Sequence, residues 1–222
     1  MFCIRSMVIA ATAAASVTLA GCMSDGDDRQ MSNPGPAEDR GAPARMSDER
    51  VDRDKVEQAT ANWPAPSKKA LGEIMAKYGP PHELTPTHAV WWNNGPWKFT
   101  KISSRPVEHY FPMRHPDLLE QGLDYRVPPE MFDDLARYDG SVIVERTKGQ
   151  ISARCDKEPA NFLALNLAHE IVTGKRSVED ARAEYARQVQ AMMNKQPAPL
   201  TEKLMFSPMK GNSADPDQPA ER

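Results

Sequence analysis

The spacing of apolar residues predicts a helix in the first half of the chain. Leu71, Ile74, Met75 and Tyr78 recur at i, i+3, i+4 and i+7, which places them on one face of a helix that begins at an N-cap, Ser67. Gly79, followed by two prolines, predicts a sharp end to this helix, because glycine accepts the left-handed conformation and proline cannot continue the hydrogen bonding.

Three further helices are predicted toward the C-terminus. The stretch Pro159–Thr173 is apolar over more than half of its circumference, which is typical of a central core helix. Ser177 and Asp180 form a capping box that starts the next helix, which extends to about Asn194. A shorter helix is predicted after Pro128-Pro129, since proline is well placed in a first helical turn.

Two pairs of stretches have the composition of β-hairpins. Thr87–Asn93 and Pro96–Ser104 are rich in β-branched and aromatic residues, and Ser141–Arg146 and Gln150–Cys155 alternate apolar and polar positions. Cys155 shares a strand face with apolar neighbours, so the pattern predicts that its thiol is buried. Trp91 and Trp92 are adjacent and point to opposite faces of their strand, so one of them either contacts a partner or is covered by a helix or loop of the same domain.

The segment between the hairpins is harder to assign. Residues 108–117 contain two prolines and are expected to form irregular chain or an edge strand that ends at Pro112. Residues 118–127 are expected to form a short helical turn that continues into a strand. Together the elements predict an α+β fold, with antiparallel hairpins packed against several helices in one domain, 63–194.

Both flanks of this domain are predicted to be disordered. Residues 22–62 have many charged, glycine and proline residues and no aromatic residue, so they are expected to form a tether. Val51 and Val56 are the only large apolar residues near its end, which argues against a stable helix there. Residues 195–222 are similarly polar and proline-rich, and only Leu204-Met205-Phe206 interrupts them.

Composition and motifs exclude several functions. The formal net charge is −3, which argues against a nucleic-acid partner. The chain has no glycine-rich phosphate loop, no Gly-x-Ser-x-Gly elbow and no Cys-x-x-Cys pair. No catalytic residue and no cofactor is therefore assigned from the sequence.

An apolar run from Met7 to Leu19 follows a basic residue and ends in Leu19-Ala20-Gly21-Cys22. This ending resembles the lipobox of bacterial lipoproteins. The resemblance implies that residues 1–21 are a cleaved signal peptide and that Cys22 carries a lipid whose acyl chains include palmitate. Met23 follows the cysteine where an aspartate would favour the inner membrane, so the resemblance implies the periplasmic face of the outer membrane.

A second resemblance covers a shorter stretch. Residues 74–92, which contain Tyr-Gly-Pro-Pro and then Val-Trp-Trp, resemble the helix-to-strand step of the small barrel-assembly lipoproteins of the SmpA/OmlA group. The chain is longer beyond this step than members of that group, so no residue role is transferred from them. The domain also looks like bacterial lipoproteins without an assigned activity.

The leading interpretation is a membrane-anchored, non-enzymatic binding or scaffold module whose partner is another envelope protein or peptidoglycan. Exposed aromatic residues provide contact area for partners and sugar rings, so the candidate surface consists of Trp91, Trp92, Trp97, His109 and His115. The alternative is a thiol or hydrolytic enzyme that uses Cys155 with His109 or His115.

The same histidines are also candidate metal ligands. His109 and His115 are six residues apart, with Asp117 nearby, but this spacing is not one of the familiar metal-binding patterns. The sequence therefore predicts hydrogen-bonded or solvated loop histidines and no metal.

Overall fold

The computed structural model describes residues 48–209 and 211–220. Cys22, the predicted signal peptide and the first part of the predicted tether lie outside these residues. In the described part of the chain, five α-helices and six antiparallel strands form a mixed α+β domain, as the sequence predicts. The helices are α1 (Arg53–Thr60), α2 (Ala65–Tyr78), α3 (Phe132–Tyr138), α4 (Glu158–Val172) and α5 (Val178–Met193). The strands are β1 (Glu83–Leu84), β2 (His88–Asn94), β3 (Trp97–His109), β4 (His115–Asp124), β5 (Val142–Glu145) and β6 (Gln150–Cys155).

The strands form one sheet in the order β1-β2-β3-β4-β6-β5. The side chains that alternate into the core, among them Trp91, Gln121 and Ala153, are fully buried beneath α2 and α4. An antiparallel sheet of this kind can leave its other face to solvent. None of the helices in the described residues is long and apolar enough to cross a bilayer.

The predicted helices are present, with one difference at the start of α2. The N-cap is Pro64, and Ser67 lies inside the helix, where its hydroxyl donates to the carbonyl oxygen of Ser103 at 2.8 Å. Ser67 is therefore a buried link to the sheet and not a cap. Gly79 has φ = 78° and ends the helix as predicted.

The segment 108–117 differs from its prediction. β3 extends to His109, and β4 begins at His115, so the two strands form a hairpin in the centre of the sheet and not at its edge. Pro112 lies in the connecting turn, and residue 118 is in a strand and not in a helical turn. Pro112 lies in the turn and Pro116 is the second residue of β4. Neither proline prevents the two strands from pairing.

The ordered domain begins before residue 63. Asp52 caps α1, because its carboxylate accepts from the backbone N–H of Asp54 at 3.0 Å and of Lys55 at 3.3 Å. Val56 is fully buried in a cluster with Trp63 and Leu71. A single valine is sufficient here because α2 provides the remaining apolar surface, so residues 53–60 are helix and not tether.

The C-terminal segment is also ordered where it is described. The buried side chain of Asn166 donates to the carbonyl oxygens of Leu200 and Lys203 and accepts from the backbone N–H of Met205 at 2.7 Å. Farther along, Arg146 pairs with Asp215 at 3.0 Å. The predicted disorder rested on composition, which does not reveal that a polar residue of the core helix holds the tail.

One buried carboxylate joins the sheet to two helices. Glu158 accepts hydrogen bonds from the indole Nε1 of Trp97 at 2.6 Å, the hydroxyl of Tyr78 at 2.7 Å and the amide of Gln121 at 3.1 Å, and it pairs with Lys77. Burial by itself raises the pKa of Glu158, but these hydrogen bonds outweigh it and lower the pKa below 4.5. The carboxylate is thus held ionised inside the domain.

Candidate functional site

The structure separates the five residues of the predicted binding surface. Trp91 and Trp97 are 0% and 1% exposed and belong to the core. Trp92 is half-buried and lies on the other face of its strand, so one of the two adjacent tryptophans does face outward. His109 and His115 lie together at the β3–β4 turn and line no part of the groove that contains Trp92. The tryptophans and histidines therefore do not form one concave surface.

The side of the sheet that points away from α2 and α4 contains a groove of about 550 Å³, which we call the sheet groove. Its walls come from β2–β6 and the β5–β6 turn, and none of the helices that the structure describes contributes to it. The volume is in the range of small-molecule sites. The lining residues are Val90, Trp92, Phe99, Lys101, Glu120, Ile143, Glu145, Lys148, Gln150 and Ser152.

Two aromatic rings form the apolar part of the sheet groove. Trp92 and Phe99 are cross-strand neighbours whose ring centroids lie 6.3 Å apart in an edge-on arrangement. The Phe99 ring lies across Gly122 of the next strand, and a Cβ atom at Gly122 would be 2.2 Å from Phe99 Cε1. The missing side chain at Gly122 is therefore what allows this ring to lie over the strand.

The charged groups of the sheet groove are paired with one another. Lys101 Nζ lies 2.6 Å from a carboxylate oxygen of Glu120, and Lys148 Nζ lies 3.0 Å from one of Glu145. The hydroxyl of Ser152 donates to Glu120 at 2.9 Å. The groove thus presents aromatic rings beside hydrogen-bonding groups, with two positive and two negative charges that cancel.

The histidines form a second cluster, which we call the His–Asp cluster (His109, His115 and Asp117). His109 and His115 are paired directly across the β3–β4 hairpin, with ring centroids 4.9 Å apart. Asp117 is 1% exposed and lies beside both rings. The prediction that both histidines lie in a loop is therefore wrong, because His109 belongs to β3 and His115 belongs to β4.

Neighbouring groups hold this cluster in place. The hydroxyl of Ser141 donates to Asp117 Oδ2, and the backbone N–H of Ser141 donates to the buried carboxylate of Asp139 at 2.8 Å. Burial raises the pKa of Asp139. Burial alone would lower the pKa of His115, but Asp117 and Cys155 outweigh it and raise that pKa to about 11.

Cys155 lies next to His115 at a cavity of about 270 Å³, which Tyr185 and other residues of α5 also line. The thiol is buried, as the strand pattern predicts. Burial raises its pKa, and the contact with His115 offsets this only in part. A nucleophilic cysteine requires a lowered pKa and access to solvent, so this environment favours an inert thiol.

Sequence reasoning named the three residues of the His–Asp cluster but missed most residues of the sheet groove. Phe99 is far from Glu120 and Gly122 in sequence, and only strand pairing brings it beside them. The His–Asp cluster did leave a signal, because residues six apart face each other when a five-residue turn joins two strands. The six-residue spacing therefore indicates a contact between His109 and His115 only when β3 and β4 are known to be paired. Comparison with protein-family models, curated proteins and solved structures gave no match.

Proposed function

We propose that this protein is a lipid-anchored, non-enzymatic module of the bacterial envelope that binds a glycan strand in the sheet groove. The observation that carries the proposal is the aromatic pair Trp92 and Phe99 on an otherwise polar, charge-balanced sheet face. The proposed occupant is the glycan of peptidoglycan, which is the polymer nearest to a protein anchored at the periplasmic face of the outer membrane.

The chemistry of the sheet groove supports a sugar over a charged ligand. A sugar ring offers an apolar face to aromatic side chains and hydroxyl groups to polar ones. The lysines of the groove are already paired with carboxylates, so they are poorly placed to attract an anionic polymer. Gln150 and Ser152 add an amide and a hydroxyl at the groove wall.

The sequence supports the location. The lipobox-like ending at Cys22 places a lipid at the new N-terminus, and the residues that separate Cys22 from α1 give the domain reach from the membrane. In this account the lipid holds the protein at the envelope and the groove contacts the wall. No reaction is required for either role.

Co-sedimentation with purified peptidoglycan tests the glycan proposal. The full-length chain in mild detergent is expected to sediment with the sacculi, and Trp92→Ala and Phe99→Ala are each expected to weaken binding about tenfold, because each removes a stacking surface. Tyr110→Ala is the matched control, since Tyr110 is 67% exposed and lies outside the groove. If the wild type stays in the supernatant, or the groove variants bind as the control does, the proposal fails.

The second candidate function is the thiol enzyme, which the contact between Cys155 and His115 favours. The burial of Cys155 argues against a reactive thiol. A maleimide reagent should therefore not label Cys155 in the native protein and should label it fully in urea. A mature chain in which Cys22 carries lipid has no other thiol to obscure the result. Rapid native labelling at neutral pH would favour the enzyme over the binding module.

A further inference from the structure

The His–Asp cluster contains three potential metal-ligand atoms that are buried and have no hydrogen-bond partner among the residues that the structure describes. They are His109 Nδ1, His115 Nε2 and Asp117 Oδ1. A buried polar atom without a partner costs free energy, so three of them at one point require an explanation. The cluster shares no residue with the lining of the sheet groove, so this inference is independent of the proposed glycan binding.

The hydrogen bonds around the rings determine where their lone pairs point. His115 Nδ1 lies 2.8 Å from the carbonyl oxygen of Met113, which can only accept, so Nδ1 carries the hydrogen. When the ring is neutral, as a metal ligand must be, Nε2 has the lone pair, and it faces Asp117 Oδ1 at 3.2 Å. Two acceptor atoms at this distance repel each other unless a proton or a metal cation lies between them.

His109 is oriented in a comparable way from the other side. Its Nε2 faces the buried carboxylate of Asp139 at 3.6 Å, and its Nδ1 faces Asp117 Oδ2 at 3.4 Å. Metal-bound histidines commonly direct their second ring nitrogen to a carboxylate or a backbone carbonyl, which fixes the ring and its tautomer. Here the second ring nitrogen of His109 faces the carboxylate of Asp139, and the second ring nitrogen of His115 faces the backbone carbonyl of Met113.

The separations are close to those of a tetrahedral zinc site. With Zn–N and Zn–O distances of about 2.0–2.1 Å, neighbouring ligand atoms in a tetrahedron are about 3.3 Å apart. His115 Nε2 lies 3.2 Å from Asp117 Oδ1, His109 Nδ1 lies 3.4 Å from the other carboxylate oxygen, Oδ2, and one ligand atom from each of the three residues lies within 4.8 Å of the others. Ser141 holds Asp117 from behind through Oδ2, so Oδ1 remains available.

We propose that His109 Nδ1, His115 Nε2 and Asp117 bind a divalent transition-metal ion of the zinc class. Two imidazole nitrogens and one carboxylate oxygen are a donor set that suits zinc better than calcium or magnesium. Three protein ligands leave one tetrahedral position open. The cavity that His115 shares with Cys155 and Tyr185 provides room for a water molecule or another small ligand there.

The test is metal binding by the full-length chain after dialysis against a chelator. Isothermal titration with Zn²⁺ is expected to give one ion per chain with a Kd of about 1 μM or tighter. His115→Gln and Asp117→Asn should each weaken binding at least about tenfold, since even residues behind the ligands cost this much. The control is His88→Gln, which changes a histidine of β2 outside the cluster and should bind zinc like the wild type.

A second measurement needs no variant, in case the ligand variants do not fold. In the wild type, the imidazole ¹⁵N resonances of His109 Nδ1 and His115 Nε2 should move to metal-bound values as zinc is added. A chain that binds no zinc, zinc bound equally well by His115→Gln and the control, or unchanged resonances of both rings at saturating zinc would each overturn the proposal. A shared proton between His115 and Asp117 would then be what joins these buried atoms.

Discussion

Replacing Glu158 with alanine is expected to lower the free energy of unfolding by about 3–5 kcal/mol, the cost of removing one partner from a buried ionic network. The change would leave the indole N–H of Trp97 and the hydroxyl of Tyr78 without their acceptor in the interior. Lys77 is 52% exposed in its side chain and can turn to water, so it contributes less to the loss. Urea unfolding followed by tryptophan fluorescence measures the effect.

The matched control is Glu145→Ala, which removes a half-exposed glutamate that also pairs with a lysine. Exposed pairs of this kind contribute little, so the control should change the free energy of unfolding by less than about 1 kcal/mol. Equal losses in the two variants would show that Glu158 does not hold the sheet to α2 and α4.

The pH dependence gives a further check on Glu158. Its pKa is lower in the folded state than 4.5, so its ionised form stabilises the fold above that pH, and the contribution is lost as the pH falls through the folded value. The difference in stability between wild type and Glu158→Gln should therefore be constant above pH ~5 and shrink below pH ~4. A difference that grows on acidification would contradict the lowered pKa.

Replacing Cys22 with alanine is expected to release the protein from membranes almost completely. Each buried methylene of an acyl chain contributes about 0.8 kcal/mol, and stable anchoring needs two chains or one chain with a second signal. The variant would lose every chain attached at that position. Flotation of membranes after lysozyme digestion measures this, because the digestion removes binding to the wall.

Two comparisons distinguish membrane anchoring by the lipid from wall binding by the sheet groove. Cys155→Ala should float with the membranes like the wild type, because its buried thiol takes no part in anchoring. The Cys22→Ala protein should still sediment with purified sacculi. If Cys22→Ala still floats with the membranes after a salt wash, the domain or an uncleaved N-terminal segment binds them and the lipid is not the main anchor.

Local patterns in the sequence predict much of the fold. The end of α2 at Gly79, the β5–β6 hairpin and the cap of α5 at Ser177 each depend on residues within a few positions of one another. The apolar circumference of α4 predicts its central place, and its residues are indeed among the most buried. For these elements propensity, capping and tertiary packing agree.

The remaining differences come from contacts between distant residues. Val56 becomes a core residue because α2 covers it, and the tail is ordered because Asn166 binds its backbone. The register of β3 with β4 shifts between Ile102 and Val107, so counting along either strand does not show which residues face each other. The sheet groove and the His–Asp cluster both depend on this pairing.

The most direct test of the central claim uses the four indole N–H groups as reporters of sugar binding. Trp63, Trp91 and Trp97 are buried and donate to groups inside the domain, whereas the Trp92 ring lies in the sheet groove and its N–H donates to Glu83 at 2.6 Å near the surface. Titrating the ¹⁵N-labelled chain with soluble peptidoglycan fragments should shift the Trp92 indole resonance and leave the other three unchanged. Glycan binding at this sheet face would be contradicted if the Trp92 indole resonance did not shift at saturating fragment. It would also be contradicted if only resonances outside the groove shifted.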